Sequence, residues 1–190
     1  MGEGGEQGVR SMNEFIQDNS WQIKIRNRIL EPYYESISHN KRFIFVDKGK
    51  LAEKLQREMA IDTIIQLKNN GVLGIEERIV RWPGYKYQNY TLEIMSCTIP
   101  GHEKKGWMYY ATCDYLFYCF VQENEQSLYI HAIPFAELKT WFFENDRFKS
   151  YRSSFTEQVN RTETKLVPIK DVWSAVTGCK EIFVKAEERS

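Results

Sequence analysis

Trp21, Ile25, Ile29 and Tyr33 recur every four residues behind Asn19-Ser20. This spacing predicts a first helix, capped at Asn19-Ser20 and bent at Pro32. The run Arg42-Phe43-Ile44-Phe45-Val46 is strand-like, and 47–58, poor in β-branched residues, reads as a short helix or turn. Residues 61–67 and 73–80 form two apolar-rich strands around a Lys68-Asn69-Asn70-Gly71 turn. Alternation over 90–96 predicts a third strand, antiparallel by hairpin logic. After a polar loop at 100–106, the dense apolar stretch 113–119 reads as a helix that would put Asp114 and Tyr118 on one face. Residues 127–134 form a fourth main strand stopped by Pro134. Leu138, Trp141 and Phe142 then mark a helix over 135–145. The polar stretch 147–162 reads as a surface excursion, and 164–173 as an extended segment entering a last short helix.

A chain of 190 residues, 42% hydrophobic, is long enough for one full core. The expectation is one α/β (α+β) domain over 13–184, between a Gly/Glu-rich tail (1–12) and a C-terminal tail (185–190). Lys plus Arg and Asp plus Glu number 26 each, so net charge steers nothing toward polyanions. Nucleic-acid contact would need local clusters: Lys48/Lys50/Lys54/Arg57, Arg81/Lys86 with Trp82, Tyr85, Tyr87 and Tyr90 interleaved, or Arg147/Lys149/Arg152. Cys97, Cys113, Cys119 and Cys179 show no CxxC pairing, and His39, His102 and His131 are the only histidines. This predicts free thiols and no structural zinc, which suits a reducing compartment. No run of about 18 apolar residues occurs and the N-terminus lacks signal-peptide features. A soluble, cytoplasmic protein without membrane contact is expected.

Chemistry concentrates on the hairpin. Strand alternation projects Glu76 and Arg78 to one face and Ile75, Glu77 and Ile79 to the other, with Asp62 across the hairpin able to reach the first. Two converging carboxylates and waters make an oxygen site for Mg²⁺ or Mn²⁺. An ion there activates water and neutralises charge on a phosphodiester, while a neighbouring cation steadies the transition state. Arg78 stays protonated, so it can clamp phosphate but cannot act as a base. Lys104 or Lys105 is the alternative source of positive charge. The same three residues also fit an ion pair on a solvated sheet face.

Ala60-Ile61-Asp62, Gly74-Ile75-Glu76-Glu77-Arg78, Leu92-Glu93, Lys105-Gly106-Trp107 and Thr112-Cys113-Asp114-Tyr115-Leu116-Phe117-Tyr118 together resemble the PD-(D/E)XK, or restriction-endonuclease-like, nucleases, in particular small single-domain bacterial and phage forms. The similarity in element order runs from about Trp21 to Trp173 and is most specific between Gln56 and Phe120. The resemblance implies a restriction-endonuclease-like core, a mixed central β-sheet flanked by helices. It implies metal ligation by Asp62 and Glu76, with Arg78 at the family's lysine position. Glu93 would be a third ligand or orient water, and Lys105 would supply a further cation. Trp107, Asp114 and Tyr118 would contact substrate, Asp114 and Tyr118 resembling a Gln-x-x-x-Tyr element with Asp replacing Gln. Glu31, Glu35 or Gln56 would complete the site. The implied activity is Mg²⁺- or Mn²⁺-dependent DNA hydrolysis. The alternative is a catalytically degenerate module that binds nucleic acid or a host protein. Oligomeric state stays open, a homodimer included.

Overall fold

The hairpin expected over 61–80 forms, and a six-stranded mixed sheet grows around it. The computed structural model describes residues 12–46, 50–81, 83–86, 88–156 and 161–186. The first sheet holds β1 (Ser38–Phe45), β2 (Thr63–Leu67), β3 (Val72–Arg81), β6 (Tyr115–Val121), β7 (Ser127–Pro134) and β10 (Lys180–Lys185) in the order β1-β2-β3-β6-β7-β10. β3 runs antiparallel to β2 but parallel to β6, with Glu76 beside Leu116 and Arg78 beside Tyr118. The second sheet, β5-β4-β9-β8, is built from β4 (Asn89–Cys97), β5 (Lys104–Lys105), β8 (Ser153–Thr156) and β9 (Thr162–Pro168).

One face of the first sheet is covered by an N-terminal helical run: α1 (Met12–Ile25), a π turn (Arg26–Leu30) and α2 (Glu31–Ile37). The helix passes through the expected cap at Asn19-Ser20, because 12–18 contain neither Gly nor Pro to stop it. Pro32 cannot donate an N–H and its ring crowds the carbonyl one turn back, and the π turn just before it absorbs that conflict. There the Glu31 N–H reaches back to the Arg26 carbonyl. The extra residue shifts the helix phase, so Ile25, Ile29, Leu30 and Tyr34 are fully buried, where the period of four had pointed to Tyr33. These side chains pack on Ile75, Ile79, Phe117 and Cys119. Full burial of each large apolar side chain stabilises by about 1.5–3 kcal/mol.

Two expectations are corrected. Residues 115–121 form strand β6, so the helix over 113–119 does not exist and Asp114 and Tyr118 share no helix face. A central strand parallel to its neighbour is covered on both sides and loses the alternation that marks a half-exposed strand. Phe117, Cys119 and Val121 enter the core under the N-terminal helix, while Leu116, Tyr118 and Phe120 enter the opposite one. The strand expected over 90–96 forms as β4, but it pairs with β5 and β9 instead of continuing the hairpin. The second sheet thereby covers the other face of the first, alongside α3 (Lys50–Met59), α4 (Trp107–Tyr110), α5 (Phe135–Phe143) and α6 (Ile169–Ala175). The fourth strand and the helix after it stand where the sequence placed them, and the excursion over 147–162 ends a 3₁₀ turn (Glu144–Ser150) and includes β8.

A buried polar chain joins the sheets. Trp173 Nε1 donates to Tyr90 Oη at 2.8 Å, and Tyr90 Oη lies 2.7 Å from His131 Nδ1. His131 Nε2 lies 3.0 Å from Glu181. With its oxygen already accepting from tryptophan, the phenol gives its own proton to Nδ1, which leaves Nε2 as the protonated nitrogen facing Glu181. All four cysteines are free, three of them buried. Among the described residues no helix is long and apolar enough to cross a membrane. Of the expected tails, 1–12 and 185–190, residues 1–11 and 187–190 lie outside the described residues, as do Lys48, Trp82 and Tyr87, while Met12 begins α1 and Lys185 ends β10.

Candidate functional site

Asp62 sits where α3 hands the chain to β2. Ala60 makes that corner with φ of 48°, a left-handed conformation that costs a non-glycine residue about 1–2 kcal/mol. Main-chain bonds then fix Asp62 on two sides: its N–H donates to Ile75 O at 2.8 Å and its carbonyl accepts from Val46 N at 2.8 Å. Its carboxylate accepts from the Glu77 N–H at 3.0 Å, capping the edge of β3 just beyond the end of β2.

Asp62, Glu76, Arg78 and Glu93 line one pocket of about 390 Å³, with Trp107 and Tyr110 as aromatic wall. Glu76 is buried beside Asp62. Burial pushes its carboxyl up to about 8; Arg78 opposes that, and the Asp62 and Glu77 charges reinforce it. Arg78 Nη2 lies 2.6 Å from Glu76 Oε1, and its guanidinium carbon is 4.7 Å from the centre of the Trp107 ring. Burial disfavours the Arg78 charge, yet Glu76, Asp62 and Glu93 outweigh it and hold the guanidinium more firmly protonated than usual. Its buried Nε has no hydrogen-bond partner among the described residues. Glu93 accepts from the Trp107 N–H at 3.3 Å, and burial raises its carboxyl. Gly106 makes this approach possible, since a β-carbon there would lie 2.6 Å from the Glu93 carbonyl oxygen. The Gly106-Trp107 pair is thus explained by close packing on β4.

The sequence reading missed Arg26. It lines the same pocket from the N-terminal helix, with Asn19 two turns and Gln22 one turn before it. Its Nε donates to Glu77 at 2.8 Å. Glu77 points to the opposite face from Glu76, as alternation requires, and takes further hydrogen bonds from Tyr34 Oη at 2.9 Å and from Thr63 Oγ1. Burial lowers the Arg26 charge preference, but Glu77 and Asp62 prevail and raise its pKa. The available signal was a single arginine flanking an apolar helical stripe, which by itself says nothing about a pocket. Of the upstream candidates, Gln56 lines the pocket and donates to Val46 O, whereas Glu31 and Glu35 do not line it.

Three candidates lie elsewhere. Asp114 ties β3 to β6, its carboxylate accepting from the Gly74 N–H at 2.7 Å. Tyr118 is buried behind the pocket, its hydroxyl 2.8 Å from Thr91 Oγ1. Lys105 Nζ stacks 4.9 Å from the Tyr109 ring and lines a neighbouring pocket. Trp107 is buried, and the face it offers the pocket is covered by Arg78. Two of the basic clusters meet acids: Arg81 faces Asp18 and Glu125, Lys86 faces Glu123, Arg147 pairs with Glu144 and Lys149 with Asp146.

Among the described residues no group of three or more His, Cys, Asp or Glu is placed to hold a metal. The pair Asp62 and Glu76 still fits a hard divalent ion, which needs only one or two protein carboxylates and keeps its own waters. Two crowded carboxyls, one holding a proton it would ordinarily have lost, are the electrostatic setting that such an ion relieves. No family model, curated protein or solved structure matches the chain.

Proposed function

We propose that the chain is a divalent-metal-dependent DNA nuclease with a restriction-endonuclease-like core. Asp62 and Glu76 hold Mg²⁺ or Mn²⁺, and Arg78 takes the family's lysine position. The observation that carries this reading is the acid pair itself, Glu76 buried beside Asp62 with the Arg78 guanidinium against it, in a pocket that Arg26 also lines. The fold assignment draws support from the acid-bearing hairpin set beside a strand parallel to β3, in a mixed sheet with helices on both faces. The bound ion supplies charge neutralisation and a more acidic water. Arg78, with its unpartnered Nε, clamps a non-bridging phosphate oxygen, and Arg26, steadied by Glu77, offers a second cation. Neither arginine can accept a proton. Glu93 takes that part, because a buried carboxyl with a raised pKa is a better base than an exposed one. The reading places the protein's action inside the cell, on DNA.

Cleavage of plasmid and single-stranded DNA in Mg²⁺ or Mn²⁺ tests it. Asp62→Ala and Glu76→Ala are each expected to lower the rate at least about a hundredfold. Cleavage that survives both changes would sink the assignment.

One observation favours a second reading, a module that has lost its chemistry and binds nucleic acid or a protein partner. Arg78 already serves Glu76 as counter-ion at 2.6 Å, which competes with a metal for that carboxylate. Calorimetry decides: no Mn²⁺ heat at neutral pH supports the module, and binding that disappears in Asp62→Ala supports the nuclease.

A further inference from the structure

Beside the acidic pocket lies a second one of about 740 Å³, and the two share Tyr110 as common wall. Their charges are opposite. Arg57, His102, Lys104 and Lys105 line the second pocket, and no carboxylate is among its lining residues. In a chain with equal acids and bases this is an uneven distribution.

The basic wall is built into the fold. Lys104 and Lys105 form β5, held in register against Cys97 and Met95 of β4. Ser96 Oγ donates to the Lys105 carbonyl at 3.2 Å, and the Gly106 N–H donates to Ile94 O at 2.8 Å. The tight seat of Gly106 on Glu93 links this strand directly to the acidic pocket. Arg57 approaches from the last turn of α3, which leads through Ala60 to Asp62. The elements that carry the cations are thus the ones that position the acids.

We propose that this second pocket is the subsite for the phosphodiester backbone of a nucleic-acid strand that leaves the acidic pocket past Tyr110, an inference that rests on the nuclease reading. Lys104, Lys105 and Arg57 neutralise the phosphates, while Tyr110 and Ile99 offer apolar surface to a sugar or base. The acidic pocket, with two carboxylates to be neutralised by an ion, performs the chemistry and holds the strand weakly without that ion.

Fluorescence anisotropy with a short fluorescein-labelled single-stranded DNA, in EDTA so that no cleavage occurs, tests this on the full chain. Lys104→Glu/Lys105→Glu is expected to weaken binding about tenfold or more and to lower the slope of log affinity against log salt by about 1.4, at about 0.7 per lost phosphate contact. Lys104→Gln/Lys105→Gln should give the same direction with a smaller loss, which guards against a folding artefact. Lys180→Glu/Lys185→Glu on β10, which lines neither pocket, should bind like the wild type, and Glu76→Gln should bind at least as well as the wild type while losing cleavage. Wild-type affinity and slope in both lysine double variants, or an equal loss in the β10 control, overturns the subsite and leaves the nuclease reading intact. Loss of binding in the lysine variants, with no metal-dependent cleavage by the wild type, instead overturns the nuclease reading and keeps a strand-binding surface.

Discussion

Glu76 and Glu77 are neighbours on one strand, equally buried and both in the lining of the pocket, yet their side chains have opposite kinds of partner. Glu77 faces the N-terminal helix, where Arg26, Tyr34 and Thr63 each donate to it. Burial still raises its pKa, but its oxygens are served by the fold itself. Glu76 faces the pocket, where a single arginine is set against a second carboxyl. A carboxylate surrounded by donors holds structure together. One pressed against another carboxylate calls for a cation or a proton, and it is the better candidate for chemistry.

The largest expected effect breaks the satisfied side. Glu77→Ala leaves Arg26 buried without its counter-ion and strands two hydroxyl donors, a loss of about 3–5 kcal/mol by the usual cost of halving a buried pair. Urea unfolding monitored by tryptophan fluorescence measures it. A loss below about 1 kcal/mol would show that the Glu77 network does not carry the docking of the helix on the sheet.

The pocket side gives a pH-dependent contrast. The folded-state pKa of Glu76, near 8, lies above its ordinary value, so its contribution to stability is complete at pH below about 4.5 and is lost as pH rises through 8. Glu76→Gln keeps the shape and cannot ionise. It should match the wild type near pH 5 and exceed it by a few kcal/mol near pH 9, as read from thermal unfolding at several pH values. Saturating Mn²⁺ should close that gap by stabilising only the wild type. A gap that does not change with pH argues against the crowded acid pair.

These two carboxylates also mark how far the sequence could be read. Period-two alternation separated Glu76 from Glu77 correctly, because β3 has a distinct chemistry on each face. It failed on β6, where both faces are apolar and only length and flanks distinguish strand from helix. Hairpin logic failed on β4, because nothing local to residues 90–96 encodes pairing with β9, some seventy residues further on. Asp62, Glu76 and Arg78 were legible as residues of one pocket, since they lie on the adjacent strands of the hairpin or at its edge, whereas Glu93 and Trp107 reach it from the second sheet and the short helix after β5. Arg26 was not, because its place depends on helix docking and on the phase shift of a π turn. Lys105 was misplaced for the opposite reason: closeness in sequence to Trp107 suggested one pocket, and Gly106 turns the chain from one pocket to the next.

A smaller effect sharpens the boundary between the pockets. Gly106→Ala puts a methyl group against the Glu93 main chain, which cannot step aside as a side chain would. Overpacking of this kind costs about 1–3 kcal/mol. It should also pull the Trp107 N–H away from Glu93, so cleavage falls more than unfolding stability alone explains. Stability and cleavage both at wild-type level would show that β5 and β4 are not held so closely.

Arg78→Lys carries the smallest expected change in stability and the sharpest functional contrast. Lysine keeps the positive charge beside Glu76 but gives up the planar stack on Trp107, worth about 0.5–2 kcal/mol, and the fork of donors. If Arg78 acts as an electrostatic clamp, cleavage by Arg78→Lys stays within about tenfold of the wild type, whereas Arg78→Met, which packs on Trp107 without charge, loses it. An ammonium can shed its proton where a guanidinium cannot, so the lysine variant should gain a limb at alkaline pH in its rate profile that the wild type lacks. Equal activity in the lysine and methionine variants removes Arg78 from the chemistry. It would leave Arg26, held in place by Glu77, as the one arginine among the described pocket residues that can still serve the phosphate, so the partner-rich face of β3 would support the reactive one directly.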